Sequence, residues 1–329
     1  MTEHIVSPTR VDFAGGTLDC WPLYNFVDGC ITTNLSIDIV TEAELSKRDD
    51  KKIVLDIQDG AVRQEFDSIE DLFSSSEALL TLLKAHLNYW KPEFGFNLRS
   101  NSQSPIGGGL GGSSSLTVSL IKAFSKVMGK SLGGMEIVTL ASNVEAQVLH
   151  TPTGTQDYFP AIRPGLHALH YELGGVRHEV LDVNLDELGK RLFLVYTGKP
   201  HHSGLNNWSV IQATIGKDKK TLIELQALKE IASEVYKVCQ QQKWSDLAEL
   251  FKQEFKHRVA LAPAFSSPEI EKLNDSCLRA GAEAVKICGA GGGGCVMVWC
   301  DADNRTDLMN HCESSGFQVF NVAPFPVTS

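Results

Sequence analysis

The residues best suited to chemistry form a glycine-rich loop at positions 104–115, with the sequence SPIGGGLGGSSS. Between positions 106 and 115, five of ten residues are glycine and three are serine, and a helical apolar pattern follows at once. Glycine lets the backbone approach a ligand closely, so N–H groups and the positive end of the next helix can converge on an anion. Serine hydroxyls can cap that helix or meet phosphate or Mg²⁺. We interpret the loop as a triphosphate cradle; the alternative is a flexible surface loop ending in a serine cap.

Two familiar nucleotide motifs do not describe this loop. It does not end in Gly-Lys-Ser/Thr, which excludes a Walker A loop. No acidic residue follows a second strand at about twenty residues, which excludes the dinucleotide fingerprint.

A second glycine run, GAGGGG at positions 289–294, lies between two apolar strand patterns. Five glycines in six residues are costly to order, so close backbone approach is the natural explanation. The alternative is a loose hairpin loop.

Irregularly mixed strands and helices must position these loops, which favours an α+β fold over an alternating parallel sheet. Periodicity in the first half predicts strands at 4–13, 30–45, 53–58, 94–100, 166–173 and 177–181 and helices at 69–90, 116–128 and 137–149. In the second half it predicts strands at 192–196, 285–287, 294–300 and 317–322 and helices at 219–242, 244–260, 268–280 and 304–314.

Composition limits the class of protein. The 329 residues suggest roughly two domains, and the net charge of -10 speaks against a nucleic-acid partner. The N-terminus lacks the pattern of a secretory signal, and no apolar run is long enough for a membrane span. We therefore expect a cytoplasmic protein with no membrane partner. The eight cysteines contain no Cys-x-x-Cys pair and indicate buried apolar residues rather than a zinc site.

Three stretches together resemble the GHMP kinase family, which includes galactokinase, homoserine kinase, mevalonate kinase and phosphomevalonate kinase. They are PTRVDFAGGTLDCWP at 8–22, the loop SPIGGGLGGSSS and KICGAGGGGCVMVW at 286–299, in matching order and spacing. The resemblance implies a two-domain α+β fold, with a ribosomal protein S5 domain 2-like N-terminal domain and a ferredoxin-like C-terminal domain. We place these domains at 1–185, with the phosphate-binding loop, and 186–329. The family loop usually reads Pro-x-x-x-Gly-Leu-Gly-Ser-Ser-Ala, whereas Gly112 and Ser114 differ here.

The opening stretch resembles the fucokinase and heptose 7-phosphate kinase branch, through Arg10, Phe13, Gly15, Gly16 and Asp19. This implies transfer of phosphate from ATP to a sugar hydroxyl, the anomeric one, with Asp19 binding sugar hydroxyls. The substrate-binding residues implied are Gly15, Gly16, Thr17, Asp19, His202, Gly291 and Gly292. A Thr-Gly segment of that branch carries an Arg where this chain offers His201 or His202, and Lys199, His201 and His202 are the candidate contacts of a phosphate on the substrate. Without the family context, Asp19 reads as a turn-capping aspartate.

The resemblance also implies the groups that assist the transfer. Asp157 matches the family aspartate that acts as catalytic base or orients the attacking hydroxyl. Arg10 matches a basic residue near the reacting centre, and it could stabilise developing charge, pair with Asp157, or do both. Glu145 matches a Mg²⁺ ligand, with Ser113, or failing that Ser114, as its hydroxyl partner. The implied ATP contacts are Pro105, Gly107, Gly108, Gly109, Leu110, Gly111, Gly112, Ser113 and Ser114. Taken alone, Asp157 reads as a loop cap and Glu145 as a solvent-facing helical residue.

Three hypotheses of function follow. The first is an ATP- and Mg²⁺-dependent sugar kinase that acts on a monosaccharide or a sugar phosphate. The second is a mevalonate-type kinase, with nearly the same loops and a primary alcohol as acceptor. The third is a catalytically silent nucleotide-binding regulator on the same fold, which the presence of Asp157 and Glu145 disfavours. Homodimer formation is left open.

Overall fold

A long antiparallel strand pair organises the first sheet of this computed structural model, in which residues 2–200, 203–289 and 291–327 are described. The pair consists of β1 (Thr2–Ala14) and β2 (Cys30–Lys47), whose inner residues are buried on both faces. The other strands are β3 (Ile53–Ile57), β4 (Val62–Phe66), β5 (Phe96–Ser102), β6 (Leu166–Glu172) and β7 (Gly175–Leu181). Their order is β4-β3-β5-β2-β6-β7, with β1 paired to β2, and only β3 and β5 of these described strands pair in parallel.

Helices of the first half cover this sheet and present the loops. They are α1 (Leu23–Phe26), α2 (Ile69–Ser74), α3 (Thr81–Trp90), α4 (Gly112–Val127), α5 (Gly134–Leu149), α6 (Tyr158–Ile162) and α7 (Leu185–Gly189). The expectation of one helix over 69–90 is wrong. The chain is extended at Ser75, and the Glu77 side chain accepts from Leu79 N to start a 3₁₀ turn, Ala78–Leu80. Such local side-chain bonds compete with a continuous helix.

The second sheet has strands β8 (Leu192–Tyr196), β9 (Ala284–Ile287), β10 (Cys295–Trp299) and β11 (Gln318–Phe320) in the antiparallel order β11-β8-β10-β9. Its helices are α8 (Ser203–Ile215), α9 (Lys219–Gln240), α10 (Leu247–Leu261), α11 (Pro268–Arg279) and α12 (Arg305–Ser314). Two mainly antiparallel sheets with segregated helices confirm the predicted α+β class. None of the helices in the described part of the chain has the length and apolar composition needed to cross a membrane.

The two halves share a hydrophobic core near the end of β1. Phe13 makes edge contacts with Phe251 of α10 and Trp299 of β10, at ring-centroid distances of 5.5 and 6.2 Å. Such buried aromatic contacts fix the end of β1, and with it the turn at 15–19, against the second half. The boundary near residue 185 stays a prediction.

Candidate active site

A cavity of about 370 Å³ opens where the end of β1, the 104–115 loop, residues 152–157 and α10 meet. The loop contributes backbone to the lining, and charged side chains, among them Arg10, Asp12, Asp19, Asp157 and Arg258, contribute the rest of its polar surface. A glycine-rich backbone beside charged side chains is suited to an anionic ligand next to a polar one.

Glycines give the 104–115 loop its shape. It leaves β5 and enters α4 at Gly112, with Gly107, Gly109 and Gly111 in the left-handed region at φ 64°, 74° and 71°. A side chain at Gly111 would approach within 3.1 Å of the Asp157 carboxyl group. Glycine is therefore needed there both for its backbone angle and for the space that Asp157 occupies.

The second glycine run packs directly on this loop. Cys295 N donates to Gly108 O at 2.7 Å, and a Cβ on Gly294 would lie 2.9 Å from the carbonyl oxygens of Gly107 and Gly108. The run between β9 and β10 thus supports the loop through backbone contacts. This close approach confirms why glycine is used at Gly294.

Arg10 and Asp157 form the central ion pair of the cavity. Arg10 Nε and Nη2 lie 2.8 and 2.7 Å from Asp157 Oδ1, while Nη1 donates to Gly109 O and to Cys288 O at 2.6 and 2.8 Å. Burial lowers the pKa of Arg10, but the carboxylates of Asp157 and Asp12 outweigh it and raise that pKa overall. One guanidinium therefore joins the glycine-rich loop, the residue that precedes the second glycine run and the carboxylate of Asp157.

Glu145 of α5 is buried beside the start of α4. Its Oε2 accepts a hydrogen bond from Ser114 Oγ at 2.8 Å and another from the Tyr158 hydroxyl at 2.6 Å. Burial raises the pKa of Glu145, partly offset by hydrogen bonds from Tyr158, Ser114 and Ser113. Both candidate serines therefore contact Glu145, with Ser114 buried and Ser113 exposed.

Asp19, on the turn that follows β1, lines the same cavity as the loop. Its Oδ2 accepts from Gln156 N at 3.1 Å, and a side chain at Gly154 would collide with it. Burial, followed by the nearby charge of Asp157, raises the pKa of Asp19 to about 7. Two carboxylates, Asp19 and Asp157, thus face one small volume.

Comparison with known proteins identifies this arrangement. Residues 74–165 match the family described as GHMP kinases N terminal domain, and residues 227–314 match the one described as GHMP kinases C terminal. Together these matches cover more than half of the chain. The chain belongs to the GHMP kinase family. It is accordingly a phosphotransferase that uses ATP as donor and an alcohol group as acceptor, on the two-domain fold of that family.

Individual GHMP kinases resemble this one along nearly their whole length. The D-glycero-alpha-D-manno-heptose 7-phosphate kinase of Campylobacter jejuni is 27% identical, over 92% of this chain and 91% of that protein. The mevalonate kinase of Methanocaldococcus jannaschii is 24% identical, over 90% of this chain and 93% of that protein. The structure of Lactococcus lactis galactokinase with galactose covers 98% of this chain and 94% of its own, with a TM-score of 0.78 and 18% identity, and it shows the shared fold.

Most residues predicted to contact ATP line the cavity of this kinase, namely Pro105, Gly107, Gly108, Gly109, Gly111, Gly112, Ser113 and Ser114. Leu110 does not. Its side chain is fully buried in the hydrophobic core, and its carbonyl oxygen accepts from Arg10 N at 3.0 Å. Its apolar side chain is more stable packed than facing phosphates.

The predicted acceptor residues divide into two groups. Gly16, Thr17 and Asp19 line the cavity. The structure does not bring Gly15, Gly291 and Gly292 to it, because these glycines pack on backbone: a Cβ there would lie 2.3 Å from Ile31 O, 2.3 Å from Phe265 O and 2.7 Å from Ala264 O. His202 lies outside the described residues, as does His201.

The cavity also contains residues that the sequence did not point to, among them Asp12, Gln156, Asn207 and Arg258. Asp12 follows Arg10 by two positions on β1, so strand alternation alone could have placed both on one face. Arg258 follows Glu254 by four positions on α10, a spacing that is usually found on solvent-exposed helix faces. Gln156 and Asn207 carried no recognisable signal.

The contact between the two glycine runs can be tested with Gly294→Ala. At φ 77° the new methyl group meets two carbonyl oxygens at 2.9 Å, so the 107–108 backbone must shift. Strain of this kind costs of order 1–3 kcal/mol, and we expect the Kd for ATP to rise roughly tenfold, measured by isothermal titration calorimetry.

Gly129→Ala is the matched control, because Gly129 has a similar φ of 66° but no atom within 4 Å of the added methyl group. This control variant has the strain of a positive φ at a non-glycine residue, but its new methyl group contacts no neighbouring atom. Equal ATP affinity in the two variants would show that the second glycine run does not support the phosphate loop.

Proposed function

We propose that this kinase is an ATP- and Mg²⁺-dependent sugar kinase that phosphorylates the anomeric hydroxyl of a monosaccharide or sugar phosphate in the cytoplasm. The observation that carries the proposal is that two carboxylates, Asp19 and Asp157, line the same cavity as the glycine-rich loop. A sugar presents several hydroxyl donors, and carboxylates are their strongest acceptors.

In this proposal Asp157 is the catalytic base. Its side chain is 19% exposed, so an acceptor hydroxyl can reach it from the cavity. Both Arg10 bonds end on Oδ1, which leaves Oδ2 as the oxygen to take the proton while the hydroxyl oxygen forms its bond to phosphorus. Phosphoryl transfer depends mainly on positioning and charge stabilisation, so an oriented carboxylate and a nearby guanidinium are the groups it needs.

Glu145 with Ser113 or Ser114 would hold Mg²⁺. The donor set is all oxygen, as a hard cation prefers, and a buried carboxylate with a raised pKa gains most from an adjacent positive charge. Among the described residues, no cluster of three or more His, Cys, Asp or Glu could hold a metal alone, which suits Mg²⁺ shared with a nucleotide. Once bound, Mg²⁺ neutralises charge on the phosphates.

Charge at the acceptor end favours a sugar over mevalonate, which carries a carboxylate. Arg10 and Arg258 are the two cations among the described residues that line the cavity, and each is already paired with carboxylates. A carboxylate on the acceptor would face Asp19 and Asp157 at a cost of like-charge repulsion. A neutral monosaccharide meets no such penalty, and a sugar phosphate avoids it where its phosphate lies away from these two carboxylates.

The acceptor assignment of Asp19 predicts a pH dependence. Since only the ionised carboxylate accepts from two hydroxyls, the KM for the acceptor should fall about tenfold per pH unit up to about 7 and then level off. The free energy of unfolding should change in the opposite sense. The pKa of Asp19 is about 7 in the folded state and 3.8 ordinarily, so the folded state holds the proton between these values. The free energy of unfolding therefore falls as the pH rises from 3.8 to about 7.

Measured at saturating ATP and Mg²⁺, Asp19→Asn serves as the control for this profile. It should have a high acceptor KM that does not vary with pH. It should also lack the Asp19 contribution to the pH dependence of unfolding. A flat wild-type KM profile between pH 5.5 and about 8 would contradict the role of Asp19.

The proposed function is tested by ATP consumption against a panel of hexoses, fucose, heptose 7-phosphate and mevalonate. Phosphorylation of a sugar at the anomeric position, shown by ³¹P NMR of the product, is the expected result. Comparing free and phosphorylated sugars decides whether the acceptor already carries a phosphate. Turnover with mevalonate alone would replace the sugar proposal with the mevalonate one.

A further inference from the structure

Four charged side chains form a buried cluster behind the acceptor end of the cavity. They are Asp12 on β1, Glu254 and Arg258 on α10, and Lys286 on β9, and none is more than 2% exposed. Arg258 Nε donates to Glu254 Oε1 at 2.6 Å, and Lys286 Nζ donates to Asp12 Oδ2 at 3.1 Å. Lys286 also lies 3.4 Å from Glu254 Oε2, and Arg258 Nη2 lies 3.5 Å from Asp12 Oδ2. Two cations and two anions balance within one closed network.

The remaining donors of Arg258 point at the turn that follows β1. Nη1 donates to Thr17 Oγ1 and Nη2 donates to Gly16 O, both at 3.0 Å. Thr17 has a φ of 73°, which a β-branched residue adopts only when its surroundings hold it there. Thr17 Oγ1 also donates a hydrogen bond to Asn207 Oδ1 at 3.2 Å. A residue of the second half therefore holds the turn that carries Asp19.

Stability does not explain such a cluster. Taking four charges out of water is expensive, and well-packed apolar residues of similar volume are often as stable or more so. The gain of the cluster is geometric: Glu254 fixes the guanidinium plane of Arg258, and the bonds to Gly16 and Thr17 transmit that orientation to the turn. Lys286 compensates the second carboxylate oxygen of Glu254 and the charge of Asp12.

From these contacts we infer that Arg258 is a positioning residue, which places the 15–19 turn, and with it Asp19, for the acceptor alcohol. It acts through Thr17 and Gly16 and leaves the ATP side of the cavity unaffected. This inference rests on the proposed assignment of the 15–19 turn to acceptor binding.

The test is the ratio of two Michaelis constants in Arg258→Lys. Lysine keeps the charge but has no planar fork with which to reach Glu254, Thr17 and Gly16 together. Losing a hydrogen bond to a charged group weakens binding by at least about tenfold, so we expect the acceptor KM to rise by that factor or more. The ATP KM should stay within about twofold of wild type.

A double-mutant cycle with Thr17→Val separates positioning from general damage. Valine has the shape of threonine without the hydroxyl that accepts from Arg258. If Arg258 acts through Thr17, the acceptor KM of the double variant should be no higher than that of the worse single variant. Multiplying effects, or an equal rise in both Michaelis constants, would overturn the inference.

Arg305→Lys is the matched control. Arg305 is a partly buried arginine of the same half that bonds Leu192 O and Asn321 Oδ1 at 2.9 and 2.8 Å, and it does not line the cavity. It should leave both Michaelis constants unchanged.

Should Arg258→Lys fail to fold, Thr17→Val is the variant that tests the inference, because it removes the Thr17 hydroxyl and keeps the ion pairs of Arg258. An unchanged acceptor KM in that variant would then overturn the inference.

The assay uses whichever alcohol of the panel the wild-type enzyme phosphorylates. The identity of that alcohol judges the proposed function, whereas the ratio of the two Michaelis constants judges Arg258. A kinase active on mevalonate alone, with a selective rise in its KM in Arg258→Lys, would refute the sugar assignment and support the positioning role. A kinase that phosphorylates a sugar but shows no selective rise in the acceptor KM in Arg258→Lys would support the sugar assignment and refute the positioning role.

Discussion

Replacing Asp157 by asparagine is expected to lower kcat by roughly 10²–10⁴-fold while leaving the Kd for ATP nearly unchanged. Asparagine keeps an oxygen that can accept from Arg10, so the network of Arg10 with Gly109 O and Cys288 O should persist. The amide nitrogen cannot take a proton from the acceptor hydroxyl. Single-turnover kinetics and calorimetric ATP titration measure the two quantities separately.

The control for this variant is Asp275→Asn, the same chemical change at an exposed site on α11. It should retain wild-type kcat and ATP affinity. If Asp157→Asn also keeps wild-type kcat, the base assignment is wrong. If it loses ATP affinity instead, Asp157 acts on the nucleotide rather than on the acceptor.

Much of the fold could be predicted because its elements carry strong periodic patterns. The helix α5 was expected over 137–149 and spans Gly134–Leu149, since Ile137, Val138, Ala141 and Val144 recur on one buried face. The strand β8 was expected at its observed bounds, because five consecutive apolar residues form a short buried strand. In both elements the positions that become buried carry apolar residues, so the spacing of those residues is visible in the sequence.

Elements without such a pattern were missed. The strand β4 has no fully buried residue, so its sequence VRQEF shows no apolar face. The helix α8 has Val210 and Ile211 buried but begins within a polar stretch that was interpreted as a substrate-contacting segment. An edge strand and a polar helix start are fixed by tertiary contacts, which a single sequence does not display.

The candidate site divides in the same way. Residues within one motif, such as Arg10 and Asp19, could be assigned together because the motif itself brings them close. The buried cluster of Asp12, Glu254, Arg258 and Lys286 joins residues that lie far apart in the sequence, with 274 positions between Asp12 and Lys286. Its side chains are of types usually found on the surface. Only the packing of α10 and β9 against the end of β1 brings these charges together.

Arg10 connects more parts of the site than any motif suggested. Its carbonyl partners are Gly109 of the first glycine loop and Cys288, the residue before the second glycine run, and its carboxylate partner, Asp157, precedes the short helix α6. Lys122 of α4 secures the other end of α6 by donating to Ala161 O at 2.8 Å and Ile162 O at 3.2 Å. Asp157, the proposed base, is therefore held from two sides, by Arg10 at its carboxylate and by α4 through the helix that follows it.

This role of Arg10 leads to the second large effect. Arg10→Lys should lower kcat by about 10²–10³-fold, comparable to the loss of a preorganised donor that stabilises developing charge. One ammonium group cannot bond Asp157 Oδ1 twice and still reach Gly109 O and Cys288 O. Because the buried Cys288 carbonyl and the partly buried Gly109 carbonyl lose their donor, the melting temperature should fall as well, as measured by differential scanning calorimetry.

The matched control is Arg48→Lys. Arg48 makes a similar set of bonds on the surface, two to the carboxylate of Asp50 at 2.6 Å and one to Asn97 Oδ1 at 2.8 Å. Exposed pairs of this kind contribute about 0–1 kcal/mol, so this variant should keep wild-type kcat with a small change in melting temperature. If Arg10→Lys likewise keeps its kcat, a single positive charge near Asp157 suffices, and the guanidinium bonds to Gly109 O and Cys288 O serve stability rather than phosphoryl transfer.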